Sequence, residues 1–180
     1  MQALGENLPD QQVWLRVAMP EWSQPLDTSY ALANGGRWNA PGARHTLYLC
    51  ADEATARVQI DKWASERFII ARDLRDDQFV AVPVQLPSEQ RVADVHTEDG
   101  VRAVGLPASY PHEGGQDKAI VAWEPCQLIG DHVAELDLRG VHARSAAPTA
   151  TARELELAWF PPPGAQSQVV GSTRQYAQWR

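Results

Sequence analysis

The chain has 180 residues, the size of one domain, and its 44% apolar share, including seven tryptophans, suffices for a sizeable core. The net charge is -7, and the basic residues are scattered, with lysine only at Lys62 and Lys118. This balance argues against a general nucleic-acid binder, which needs a concentrated basic surface. Cys50 and Cys126, and His45, His96, His112, His132 and His142, lack disulfide or metal-knuckle spacing, so free thiols and no metal site are expected.

Residues 1–12 read as a polar N-terminal extension broken by Pro9, without the apolar core of a signal peptide. No run is long enough to span a bilayer, so a cytoplasmic protein is expected. A domain over 13–163 follows, then a polar tail over 164–180. Residues 13–17, Val-Trp-Leu-Arg-Val, predict a short strand carrying Arg16, and Tyr30 precedes a glycine-rich loop. That loop, Gly35-Gly36-Arg37-Trp38-Asn39-Ala40-Pro41-Gly42, turns twice while presenting a guanidinium, an indole and an amide.

A strand over 46–49 carries Tyr48, and Asp52 is placed to cap a helix over 53–67. Ala56, Ile60, Trp63 and Ala64 recur along the inner face of that helix, and Gln59 falls on the same face. Strands are expected over 79–86, where Pro83 suggests an edge or a bulge, and over 91–95. Residues 110–117 read as a surface loop, and 117–136 as helix that Pro125 starts or kinks. A strand ending near Ser145 and another over 154–160, with Leu155, Leu157 and Trp159 on one face, complete an α+β order. Pro161-Pro162-Pro163-Gly164 stops the last strand. Tyr176 and Trp179 either dock the tail or leave it loosely held.

The run Gly-Gly-Arg-Trp-Asn-x-Pro-Gly, then Leu47-Tyr48, then Thr55-Ala56, resembles the RES-domain family over about residues 13–160. The resemblance implies a single α+β domain with an ADP-ribosyltransferase-like split β core and peripheral helices. It also implies a toxin of a toxin-antitoxin pair that cleaves the nicotinamide-ribose bond of NAD, by hydrolysis or phosphorolysis. NAD is then a substrate, no metal is needed, and the implied partner is a helical DNA-binding antitoxin. The assembly would be a homodimer or a toxin-antitoxin hetero-oligomer, without direct nucleic-acid or membrane contact. Mono-ADP-ribosylation of a protein, or a catalytically dead module that binds NAD or antitoxin, are the alternatives.

The family is named for an Arg, a Glu and a Ser. Arg16 matches the Arg of the early strand. Ser145, in Gly140-Val141-His142-Ala143-Arg144-Ser145, matches the late Ser. Arg16 and Arg37 would hold the diphosphate, Tyr30 and Tyr48 would stack or orient, and Ser145 would bond the ribose or the nicotinamide amide.

The glutamate position, in a Thr-Ala-x-x-Glu context, is occupied here by Gln59. An amide keeps a hydrogen bond but supplies little of the charge stabilisation that a carboxylate gives. The chain is then an inactivated variant, a natural member with altered activity, or one that takes a carboxylate from elsewhere. Glu53, Asp61 and Glu66 are the nearby candidates. Glu66 lies two helical turns on, about 10 Å by helix rise, which speaks against direct replacement.

Overall fold

A computed structural model describes residues 1–115 and 119–179. In chain order the elements are β1 (Gly5–Asn7), β2 (Val13–Ala18), α1 (Ser29–Asn34), β3 (Leu47–Cys50), α2 (Glu53–Ser65), β4 (Val80–Gln85), β5 (Arg91–Val95) and α3 (Glu98–Ala103). They continue as α4 (Trp123–Glu135), β6 (Gly140–Arg144), β7 (Leu155–Trp159), β8 (Gln168–Val169) and β9 (Arg174–Gln175). The strands form one sheet in the order β1-β5-β6-β7-β3-β2-β4-β8, with β9 also on β4. Among the described strands β5 and β6 pair in parallel and the other pairs are antiparallel.

The sheet is nearly divided at its middle. β2 registers six residues against β4 and β3 registers four against β7, but β2 and β3 share only the pair Leu15↔Cys50. The sheet is continuous through this short seam, and Arg16 and Tyr48 stand on the two strands that it links.

Alternate strand residues pack into different layers, as the period of two requires. Trp14, Leu47, Leu49, Val84, Val92, Leu157 and Trp159 form one apolar layer. The intervening residues are covered by helices in two groups. Helix α4 lays Cys126, Ile129 and Val133 on Val141, Ala143 and Ala158. Helix α2 lays Ala56, Ile60 and Ala64 on Leu15, Cys50 and Ala81.

Arg16 stands on β2 as expected, an interior strand between β3 and β4. Other expectations need correction. Pro83 is also inside the sheet, yet its carbonyl accepts from the Val170 N–H on the outer side of β4, between the residues paired to β9 and to β8. Its donor-less nitrogen therefore faces a break between two short strands, where no ladder bond is lost. The second long helix begins at Trp123, with Pro125 in its first turn, where a missing N–H costs no helical bond.

The segment from Tyr110 is not a surface loop at its start, because Tyr110 is buried and its carbonyl accepts from Arg144. Gln116, Asp117 and Lys118, which end that loop and begin the expected helix, lie outside the described residues. The tail is docked, with Tyr176 and Trp179 buried beside α2.

Candidate active site

A cleft of about 870 Å³ opens at the β2–β3 seam, within the size range of small-molecule sites. Its walls come from the end of β2, α1, the glycine loop, β3, α2 and β7, and they include Arg16, Tyr30, Arg37, Tyr48 and Gln59. Five of the six site residues expected from sequence thus meet around one cavity. The sixth, Ser145, is fully buried one hydrogen bond behind the wall, its Oγ accepting from Gln59 Nε2 at 2.9 Å.

The same Gln59 amide donates its other hydrogen to Glu156 Oε2 at 2.7 Å. Glu156 lies on β7 and lines the cleft, and sequence reasoning missed it. The sequence drew attention only to Leu155, Leu157 and Trp159 as the apolar face of that strand, and the alternating pattern gave Glu156 no role. The opposite face is also covered, by α4 over Ala158 and by Gln59 of α2 at Glu156, so the carboxylate stands beside an amide 97 positions away in sequence.

Burial pushes the Glu156 carboxyl up to about 7, although Arg37, Lys62 and the Gln59 bond pull it down. The Trp38 indole N–H is also turned toward this carboxylate but stops short of a well-formed hydrogen bond. Glu53 and Glu66, proposed as substitutes for the missing helix carboxylate, are instead paired with Arg174 and Lys62.

Helix α2 presents Gln59 because Asp52 caps it, accepting from the Thr55 N–H and hydroxyl at 2.8 Å. Thr55 in turn accepts from the Leu155 N–H at 3.1 Å, tying the helix start to the strand that carries Glu156.

The glycine loop is locked from several sides. Tyr48 donates its hydroxyl to Asn39 Oδ1 at 2.8 Å and accepts from the Trp38 N–H at 3.0 Å. A Cβ on Gly36 would stand 2.4 Å from that hydroxyl, so glycine is required by close approach. Burial drives the Tyr48 pKa well above the ordinary tyrosine value, against the downward pull of the Trp38 N–H, and because the hydroxyl is spent on the loop only the ring is left to face a ligand. Arg37 is buried, donating to the Val121 carbonyl at 2.8 Å and toward Cys126 Sγ at 3.7 Å.

Arg16 bridges the seam itself, its Nη1 donating to the Tyr48 carbonyl at 2.9 Å where the ladder between β2 and β3 lapses. Tyr30 is 76% exposed and lines the cleft from α1. Lys62 and Arg67 were not expected from sequence, yet both line the cleft. With Arg16 and Arg37 they make four cations in the lining against the acids Asp27 and Glu156, with Glu66 just outside it beside Lys62 and Arg67. On a chain of net charge -7 this is a local reversal of sign, suited to an anionic ligand.

The sequence pattern of the RES domain matches residues 13–179. Among solved structures, the crystal structure of the M. tuberculosis MbcT-MbcA toxin-antitoxin complex contains a similar chain, at TM-score 0.71 and 20% identity, covering 99% of this chain and 91% of that one. No curated protein sequence matches.

Proposed function

The chain belongs to the RES-domain family, and we propose that it is the toxin of a toxin-antitoxin pair that cleaves the nicotinamide-ribose bond of NAD with Glu156 as its carboxylate. The observation that carries this reading is the contact of Gln59 with Glu156 in the wall of a cation-lined cleft. Gln59 is then no sign of a decayed site. A glutamate at position 59 would set two carboxylates 2.7 Å apart, and like charges at that distance cannot both ionise. The amide is the partner that a carboxylate arriving from β7 requires.

The chemistry follows from the placement. Arg16 and Arg37 grip the diphosphate, and Tyr30 covers the bound dinucleotide at the mouth. The bond between ribose C1′ and the nicotinamide nitrogen breaks with its electron pair leaving on nicotinamide, which cancels the pyridinium charge. Positive charge develops at C1′, where the Glu156 carboxylate stabilises it. Ser145 and Gln59 orient that carboxylate. Water or phosphate then adds to C1′ and releases a proton to solvent. The antitoxin partner is supported by the structural likeness to a toxin-antitoxin complex and by the acidic net charge, which suits a basic protein.

The test is NAD consumption by the native chain, by Glu156→Gln, and by the exchanged pair Gln59→Glu with Glu156→Gln, with water and phosphate each offered as acceptor. Loss of one preorganised charge costs about 10²–10³ in rate. Glu156→Gln should fall by that factor, and the exchanged pair should recover a substantial part, because it restores one amide and one carboxylate in contact. A Glu156→Gln chain as active as the native one overturns the assignment. A silent native chain moves the function to protein modification or to binding alone.

A further inference from the structure

At the β1 edge of the sheet, well away from the cleft, three groups from distant parts of the chain converge. Glu6 lies on β1, His96 just beyond the end of β5, and His142 on β6. Glu6 Oε1 is 2.7 Å from His142 Nδ1 and 3.2 Å from His96 Nε2. The two rings stand with centroids 4.4 Å apart, and one ligand atom from each of the three residues lies within 4.8 Å of the others. All three side chains are partly shielded, with exposures of 31%, 22% and 12% for Glu6, His96 and His142.

We propose that Glu6, His96 and His142 bind one divalent transition-metal ion of the zinc type. Two imidazole nitrogens and a carboxylate oxygen are a borderline donor set that favours zinc over calcium or magnesium. Tetrahedral bonds of about 2.0–2.1 Å set ligand atoms roughly 3.3 Å apart, and the three ligand atoms, all within 4.8 Å of one another, would adjust to that spacing around an ion. Water takes the fourth position. Asp94 holds the turn that carries His96, its Oδ1 accepting from the backbone N–H groups of His96 and Thr97 and lying 3.6 Å from His96 Nε2. His142 is oriented by its edge-to-face contact with Trp14, at a centroid distance of 5.5 Å. Sequence spacing hid the site because its ligands come from residues 6, 96 and 142 and share no local motif.

The bound ion would staple β1 to its neighbours. That strand pairs three residues with β5, and Glu6 adds the tie to β6. The test uses the tag-free full chain, stripped with chelator and titrated with Zn²⁺ by calorimetry and with Co²⁺ by visible absorption. One ion per chain is expected, with the d–d bands of a four-coordinate N/O site and a rise in Tm on Zn²⁺ addition. Glu6→Gln keeps the shape of the strand and should weaken binding at least 100-fold, as should His96→Ala, while circular dichroism confirms that both variants fold. Absence of binding at micromolar metal overturns the proposal, since the cluster is then a hydrogen-bonded ion pair only. Binding unchanged in both variants overturns it equally.

Discussion

Glu156 sets the pH behaviour of the site. Its carboxyl is raised from 4.5 to about 7 chiefly by burial, so near neutral pH a sizeable fraction of the molecules lacks the charge that the proposed cleavage requires. NAD cleavage should therefore climb about tenfold per pH unit below 7 and flatten above it, a profile read directly from initial rates. The stability effect has the opposite sign. A folded-state pKa above the unfolded value contributes stability that is complete below pH 4.5 and is lost as pH rises through 7. A shift of that size amounts to about 3 kcal/mol at most, and less where the cleft admits water. The Tm of the native chain should consequently fall relative to Glu156→Gln between pH 5 and 8; parallel Tm curves would show that Glu156 is solvated like any surface acid. At this scale the sequence, through the glycine loop and the family resemblance, pointed to Arg16, Tyr30, Arg37, Tyr48 and Gln59, which line one cleft, and to Ser145, which lies behind its wall. Glu156 was illegible, since alternation identifies an apolar face but says nothing about whether the other face is also covered.

Elements decide how rigidly those residues are held. Helix α4 packs against the glycine loop so closely that a Cβ on Gly130 would stand 2.0 Å from the Trp38 carbonyl oxygen, a backbone atom that cannot move aside alone. Alanine in mid-helix normally gains about 1 kcal/mol over glycine. Here the overlap should reverse that gain, so Gly130→Ala is expected to lose a net 1–3 kcal/mol, roughly several degrees of Tm in thermal unfolding. Because Gln127 on the same helix donates to the Gly36 carbonyl at 2.9 Å, displacement of the helix should also weaken NAD binding. A Gly130→Ala chain more stable than the native one would show that the loop yields freely. Helix α2 was readable from its Asp52 cap and inner-face spacing. Helix α3, six residues long, escaped notice because it spans too few turns for a period to appear. Gly130 carried no signal either, since its reason lies in a loop 92 residues earlier that only the tertiary fold brings near.

Across the whole molecule, the cleft depends on a chain end that looks dispensable in sequence. The last segment places β8 and β9 along β4, then folds Tyr176 and Trp179 into the layer beneath α2. Trp179 is 2% exposed and its carbonyl accepts from Arg57 of α2, while Arg174 pairs with Glu53 at the start of that helix. The exposed ion pair contributes little by itself. The buried indole is the anchor, and deleting such a ring costs about 3–5 kcal/mol. Trp179→Ala should therefore lower Tm far more than Leu128→Ala, where the side chain is 60% exposed and the change should stay within about 0.5 kcal/mol. Since the tail braces the helix that presents Gln59 to Glu156, the same variant should lose NAD cleavage at temperatures well below its unfolding transition. Tm and activity both unchanged in Trp179→Ala would mean that the last turn of chain rests on the domain without supporting it.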